Sequence, residues 1–504
     1  MKFRITSILL TAVVFLPASL WAASQPTRPN VLFICADDHA AYVTGAYGNK
    51  LVRTPNIDRL AEAGMRFDRA YSNAPVCTAS RASFITGRYP RTLGVTQLRT
   101  ALPAEETTLA EMLAAAGYDT AAIGKTHFNS ALKHGYDKLI NYPEHRQWLK
   151  RRGQKRLPAG VEVLPRWKPF RDHARVWLNG MYAPFGAVDV DMPGTFFARR
   201  AADFIEQKRQ QPFFLFISFY EPHSPFRFPV EFAGRHDPSK FPVAKVGPDD
   251  DAQIPAIFRD LTDAEKQRIT AAYYTSTEFM DKNVGLVLDA LDRSGQADNT
   301  LVVYIGDHGY MLGHHGRFEK HCSFEQVNRA PLLLRLPGKI DKSRHTDALT
   351  EFVDIVPTVL DFCGLPTPAN VQGRSLAPLA TGKTNSHRQQ VFVEYAQNEE
   401  AMVRDQRWKL IFIRGKRRRT DGYKTDLPLA GHTLKLYDLA NDPEEMNNLA
   451  DKPEQKQRVD HYVGLLADFL KRTSRQPQLI PITDDPMIIL DHCVQPRDVV
   501  AKRK

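Results

Sequence analysis

Cysteine is scarce. Five residues in a chain of 504 cannot build a disulfide scaffold. Neither glycine (29) nor proline (34) is in excess, which excludes a collagen-like chain. With 43% apolar and 25% charged residues, the chain is not low-complexity or mainly disordered. Past the first two dozen residues no apolar run is long enough to span a bilayer. What remains is enough sequence for one large domain plus a smaller one, or for about three average domains. Basic residues (68) outnumber acidic ones (57), giving a formal charge of +11. That balance favours an acidic partner such as nucleic acid, anionic lipid or a polyanionic glycan. No nucleic-acid recognition module is apparent, so nucleic acid is not expected.

Lys2 and Arg4 precede an apolar run from Ile8 to Leu16, Pro17 breaks it, and small residues follow at Ala22 and Ala23. This predicts a secretory signal peptide over residues 1–23, cleaved near Ala22 or Ala23. The run is too short for a comfortable membrane anchor. The expectation is an exported protein, periplasmic or secreted, with no stable membrane insertion. Export exposes thiols to oxidation. Cys35, inside an apolar run, and Cys363, on a predicted helix, read as buried and inert, whereas Cys322 and Cys493 could pair.

Four apolar runs have the length of buried parallel strands: Val31 to Ala36, Thr120 to Ile123, Phe213 to Phe219 and Leu301 to Ile305. Helical patterns alternate with them. Ile57, Leu60 and Ala61 lead to Gly64, and Leu109, Met112, Leu113 and Ala116 lead to Gly117. Thr262 and Glu265 form a capping box before a long helix that ends near Gly295. This alternation predicts an α/β fold, a large mostly parallel sheet sandwiched by helices, over residues 28–385. Beyond, short alternating segments (Val391 to Tyr395, Ala401 to Arg404, Trp408 to Ile413, Leu434 to Leu439) predict a small antiparallel sheet. A helix with Val459, Tyr462, Leu465, Leu466 and Phe469 on one face completes a smaller C-terminal α+β unit over 386–504. The stretch from Tyr142 to Val188, rich in Pro, Arg and Trp, shows little periodicity and reads as a long insertion.

The informative residues follow the strands. Asp37-Asp38-His39, Gly124-Lys125-Thr126-His127, Tyr220-Glu221-Pro222-His223 and Gly306-Asp307-His308 each close an apolar run. Taken singly, each is an ordinary turn. In a parallel sheet, however, the carboxyl ends of the strands share one edge, where open α/β folds bind ligands. Carboxylates of Asp37, Asp38 and Asp307 gathered there suit Ca²⁺ or Mg²⁺, with one nitrogen from His308. Without a cation they would repel and raise one another's pKa.

The sharpest segment runs from Cys77 through Thr78, Ala79, Ser80 and Arg81 to Thr86-Gly87-Arg88. A helix beginning at or just after Cys77 would aim free N–H groups at a tetrahedral anion, and Arg81, one turn on, could reach the same point. By itself Cys77 reads equally as a thiol nucleophile or a small buried hydrophobe. The segment resembles the signature of the sulfatase family: Cys or Ser, any residue, Pro or Ala, Ser, Arg, three residues, an apolar residue (here Ile85), then Thr-Gly-Arg. The resemblance extends to Pro29-Asn30-Val31-Leu32, Thr54-Pro55-Asn56-Ile57-Asp58, Gly124-Lys125-Thr126-His127, Gly306-Asp307-His308-Gly309, Pro331-Leu332 and Asp442-Pro443-Glu444-Glu445. Ser218 to Phe226, and Asp307-His308 where Asp-Asn is commoner, look most like the iduronate-2-sulfatases.

The resemblance implies an alkaline-phosphatase-like fold and oxidation of Cys77 to Cα-formylglycine by a maturation enzyme. Ala79 stands where most members have proline, which bears on the maturation route. It further implies that one hydroxyl of the hydrated aldehyde attacks sulfur, while the other provides the route by which sulfate leaves. Asp37, Asp38, Asp307, His308 and modified Cys77 would hold Ca²⁺, or Mg²⁺. Arg81 would hold the diol, and Lys125 and Lys320 would grip sulfate, with His321 the alternative to Lys320. His127 would act as base and His223 as acid at the leaving oxygen. His39, His134 and His432 read as structural. A sulfated saccharide, such as a 2-sulfated uronic acid, would be the substrate. Basic clusters at Arg151-Arg152 with Lys155-Arg156, and at Arg414 to Arg419, either guide it or are simply solvated; His173 and Trp177 could touch a sugar ring. The other readings are a phosphate or phosphonate ester hydrolase of the same superfamily, and a sulfoglycan-binding protein with Cys77 unconverted.

Overall fold

The computed structural model describes residues 28–161, 163, 178, 184–414 and 431–499. The predicted signal segment, His173, Trp177 and residues 415–419 lie outside the described residues. In chain order the first nine strands are β1 (Asn30–Asp37), β2 (Met65–Phe67), β3 (Ala70–Tyr71), β4 (Asp119–Gly124), β5 (Lys138–Ile140), β6 (Phe213–Pro222), β7 (Thr300–Gly306), β8 (Leu332–Arg335) and β9 (Arg344–Thr346). All but β3 join one sheet, in the order β5-β4-β6-β1-β7-β8-β2-β9. Among the described residues β8 alone runs against its neighbours β7 and β2. β3 pairs in parallel with β10 (Thr350–Glu351) in a small separate ladder.

β1 is buried along its whole length, as a central parallel strand between two helical layers must be. Its residues alternate between two cores. Val31, Phe33 and Cys35 pack with Phe84, Leu109 and Val356, on the side of the helices Cys77–Thr86, Leu109–Ala115 and Ile355–Phe362. Leu32, Ile34 and Ala36 pack with Leu60, Phe197 and Val284, from the helices Pro55–Glu62, Pro193–Ile205 and Asp263–Arg293. At its entrance Asn30 accepts from the Phe213 N–H at 3.0 Å and donates to Thr300 Oγ1 at 3.4 Å, tying β1 to both neighbours. The long helix begins with the expected capping box: Glu265 N–H donates to Thr262 Oγ1 at 3.3 Å.

The C-terminal strands β11 (Val391–Tyr395), β12 (Glu400–Arg404), β13 (Trp408–Ile413) and β14 (Thr433–Asp438) form an antiparallel meander. One face, with Val403, Leu410 and Phe412, covers Val459, Leu466 and Leu470 of the helix Lys456–Arg472. The other face, with Val393, Met402 and Ile411, packs on Tyr71, Phe324 and Val327 of the larger unit. The small sheet thereby steadies the loop around residue 320. Ser323 N–H donates to Glu400 Oε1 at 2.8 Å, and Asn398 Nδ2 donates to the His321 carbonyl at 2.8 Å.

The structure answers one question that the sequence leaves open and adds a helix to a stretch that shows little periodicity. Cys322 and Cys493 do not pair: all five cysteines are free and buried, and these two sit in separate apolar clusters on opposite faces of the C-terminal sheet. The segment after Tyr142 opens as a regular helix, Tyr142–Arg152. Apolar periodicity did not mark it, because its outer face is charged. Its start is set instead by a capping box, Asn141 with Glu144, and by a proline in the first turn. No helix among the described residues is long and apolar enough to cross a membrane.

Gly124 closes β4 at φ +93°, where an added Cβ would stand 1.9 Å from the Ser218 carbonyl oxygen. Gly124→Ala is expected to lower the unfolding free energy by more than about 1 kcal/mol, since strain at positive φ adds to the clash. Urea denaturation followed by circular dichroism checks this.

Candidate active site

β4, β6, β1 and β7 lie side by side and point the same way, so their carboxyl ends form one edge. From that edge come Lys125, Glu221 with His223, Asp37 with Asp38, and Asp307 with His308. Asp38 turns the chain off β1 at φ 62°. Its N–H donates to Asp307 Oδ1 at 2.9 Å, and the His308 N–H donates to the same oxygen at 3.0 Å.

The helix Cys77–Thr86 arrives from the side, buried at every residue. No side chain caps its start, so its first N–H groups have no side-chain partner. Cys77 Sγ lies 3.2 Å from Asp37 Oδ1, 3.8 Å from Asp38 Oδ1 and 3.3 Å from both His308 Nε2 and Lys320 Nζ. Arg81, fully buried, donates from Nε to Asp307 Oδ2 at 2.9 Å and from an Nη to the Lys125 carbonyl at 2.6 Å and Ser218 Oγ at 2.9 Å. Lys125 Nζ pairs with Asp37 Oδ2, and Lys320 Nζ with Asp38 Oδ1 at 2.6 Å. His321 turns away to Glu319, at 2.9 Å, and stacks on Tyr395. Between these two neighbours it is therefore Lys320 that reaches Cys77.

One ligand atom from each of Asp37, Asp38, Cys77, Asp307 and His308 fits within 4.8 Å of the others, and all five residues are buried. His308 Nδ1 faces the Gly309 carbonyl at 3.0 Å, which leaves Nε2 turned to the carboxylates. Asp38 Oδ2 has no hydrogen-bond partner despite its burial. Burial raises Asp307, with Asp37 adding to the rise. Against burial, Asp307 and Cys77 lift His308 to about 9. The oxygen-rich donor set, with Asp38 Oδ2 unpartnered, fits a hard divalent cation.

The remaining groups divide by environment. Burial and Cys77 push the Asp37 carboxyl up, but Lys125, His223 and Arg81 outweigh them and hold it below the ordinary range. Burial likewise opposes an anion at Cys77, yet Lys125, Lys320 and His308 bring its thiol well below the usual value. Burial and the Lys125 ammonium lower His127 against the opposing influence of Cys77, and its buried Nδ1 lacks a partner. His223 moves the other way: burial lowers it, and Asp38, 3.9 Å from its Nε2, more than compensates.

All the residues expected at the site, Asp37, Asp38, Cys77, Arg81, Lys125, His127, His223, Asp307, His308 and Lys320, come together here. The three histidines set aside as structural are occupied elsewhere. His39 contacts Tyr304 Oη at 2.8 Å and Val43 O at 3.2 Å, His134 packs edge-on to Phe128, and His432 pairs with Asp491. Two contributors were missed. Ser218 holds Arg81, and its signal was a lone hydroxyl inside the apolar run of β6. Tyr273 donates to the Asp38 carbonyl and accepts from the Ala40 N–H at 3.0 Å. It lies mid-helix, where nothing in the local pattern distinguishes it.

Comparison with known proteins shows the family and the fold. Similarity extends to the N-acetylglucosamine-6-O-sulfatase of Bacteroides thetaiotaomicron, 27% identical over 89% of this chain and 87% of that protein. The iduronate 2-sulfatase of Mus musculus is 28% identical over 67% of this chain and 69% of its own. A phosphonate monoester hydrolase of Agrobacterium radiobacter shares the fold, with a TM-score of 0.75 at 23% identity over 91% of this chain and 98% of that one. A family model described as N-sulphoglucosamine sulphohydrolase, C-terminal, matches residues 313–471, and the Sulfatase family model matches residues 29–365. The chain thus belongs to the sulfatase family and is a sulfuric ester hydrolase.

Proposed function

We propose that this is an exported sulfatase acting on a sulfated saccharide, through a Cα-formylglycine made from Cys77 by a maturation enzyme and a Ca²⁺ ion held by Asp37, Asp38, Asp307, His308 and residue 77. The observation that carries the reading is the meeting of three carboxylates, His308 and Cys77 with the cations of Arg81, Lys125 and Lys320 at one buried point. The sulfatases among its relatives that act on sugars support a saccharide substrate, as does the net charge of +11. The likeness of Ser218 to Phe226 to iduronate-2-sulfatases favours a 2-sulfated uronic acid. A division near residue 385, with the catalytic domain over 28–385 and the smaller unit over 386–504, belongs to the same reading. The change from a mostly parallel to an antiparallel sheet supports it.

Bound Ca²⁺ would neutralise sulfate oxygens and favour ionisation of the attacking hydroxyl. The hydrated aldehyde would place two hydroxyls on one carbon, one to attack and one to remain. The residues around it have separable tasks. Arg81, fixed by Asp307 and Ser218, anchors side chain 77. Lys125 and Lys320 exchange their present carboxylate partners for sulfate oxygens as compact point charges. His127, held toward its neutral form, takes the proton of the remaining hydroxyl. His223, held toward its charged form, donates to the departing sugar oxygen. Two imidazoles pushed apart by their surroundings are how one site serves acid and base steps together.

Three outcomes are expected. Cys77→Ala abolishes aryl sulfate turnover with an unchanged circular dichroism spectrum, and the Ala70–Arg81 peptide of the native protein has the mass of an aldehyde rather than a thiol; near-normal turnover by the variant would refute the nucleophile. Chelation followed by desalting removes activity and added Ca²⁺ restores it, whereas full activity in metal-free buffer would rule out the cation. In a screen of defined sulfated oligosaccharides, a 2-sulfated uronic acid at the non-reducing end loses sulfate fastest. Faster cleavage of aryl phosphate or phosphonate esters than of aryl sulfates would assign the chain to phosphorus chemistry instead.

A further inference from the structure

Beside the buried cluster lies a cleft of about 590 Å³, within the range of small-molecule sites. Tyr142, Arg146, Tyr220, Glu221, His223 and Arg227 are among its lining residues. It opens directly onto the chemistry. His223 stands on its wall 3.9 Å from Asp38 Oδ2, and Lys125 Nζ lies 5.7 Å from the centroid of the Tyr220 ring.

The charges in this cleft are unbalanced. Arg146, on the helix Tyr142–Arg152, is exposed, and Arg227, just beyond β6, is half-buried with its guanidinium over the Phe185 ring at 5.9 Å. Neither forms an ion pair with any described residue. Some arginines near concave surfaces of this protein do, although Arg374 and Arg472, in the cavity that holds Arg388, do not. Arg152, on the same helix, pairs with Asp191, and Arg388, in a separate cavity, pairs with Asp354 and with Glu351 at 3.1 Å. Among the described residues no acid in the cleft is ion-paired with either guanidinium, although the Arg227 charge acts on Glu221. Asp191 is occupied by Arg152, and burial pushes the Glu221 carboxyl up to about 7, towards its neutral form. A lone solvated arginine is ordinary on a surface. Here two, from separate elements, line one cavity that adjoins the reacting centre.

We infer that Arg146 and Arg227 form a second anion subsite, which takes a carboxylate or a further sulfate on the same saccharide whose scissile sulfate sits at Cys77. The inference rests on the sulfatase reading and narrows its substrate to doubly anionic saccharides. Arginine suits this role because its planar fork pairs carboxylate or sulfate oxygens two at a time.

Binding separates the subsite from turnover. In the Cys77→Ala protein, calorimetry would compare three probes: a disaccharide of 2-sulfated uronic acid, a disaccharide without carboxylates that bears two sulfates, and a sugar without a carboxylate that bears one sulfate. Arg227→Ala and Arg146→Glu are expected to weaken one or both doubly anionic probes by about ten- to a hundredfold more than the monosulfated one. Arg227→Lys should recover part of the loss. Arg146 is exposed, so its substitution does not threaten folding. A selective loss on the uronic acid probe identifies a carboxylate, and on the disulfated probe a second sulfate. Equal changes on all three probes, no change, or no measurable binding of any would overturn the subsite. Selective binding without sulfate release by the native protein would overturn the sulfatase reading and keep the subsite. Sulfate release with no Arg-dependent preference would do the reverse.

Discussion

Three carboxylates, Asp37, Asp38 and Asp307, are held within a few ångströms of one another out of water, and the rest of the site is organised by the need to offset their repulsion. Arg81 is fully buried and held by Asp307, Ser218 and the Lys125 carbonyl. Lys125 and Lys320 also pair with carboxylates, but through single flexible stems. Fixed charge at the back and releasable charge at the front suit a site that must accept an anion without collapsing when it departs. Uncompensated, such a buried cluster would destabilise the fold, because unpaired charges in a low-dielectric interior are costly.

The same constraint explains the architecture. Four adjacent strands run in parallel, and each ends in a polar or charged group because the chain leaves the apolar layer at the same edge. Two close backbone approaches make the edge compact. Gly124 lets β4 end against Ser218, and the Asp38 and His308 N–H groups share one oxygen of Asp307. The C-terminal sheet contributes at a distance. Its packing on Phe324 and Val327, with the hydrogen bonds from Asn398 and to Glu400, fixes the loop that presents Lys320. The smaller unit thereby acts on the site without a residue of its own in the cluster.

Much of this was legible in the chain. The four buried strands announced themselves as apolar runs, the long helix through the Thr262–Glu265 box, and the metal-binding candidates by following strand ends. The helix Tyr142–Arg152 escaped because its faces are mostly solvated, so the period of 3.6 has no apolar stripe to reveal it. The Cys322–Cys493 pair was left open because composition says nothing about distance, and the two thiols lie on different sides of the small sheet. Tyr273 was invisible because a hydroxyl in mid-helix has a target only after the helix docks.

From its residues alone, this protein determined which groups can do chemistry: hard oxygen ligands at strand ends and basic residues for an anionic substrate, with a nucleophile at Cys77 implied only by the likeness of its segment to the sulfatase signature. Local physics suffices for that, because strand ends, caps and motif spacing are read within a few residues. Only the tertiary structure decided that Lys320 rather than His321 reaches Cys77, that His127 and His223 are driven to opposite protonation tendencies, and that Arg146 and Arg227 share a cleft beside the reacting centre. Each of those outcomes depends on which distant side chain becomes a neighbour in low-dielectric surroundings, and the sheet order that brings distant segments together is written in no single stretch of sequence.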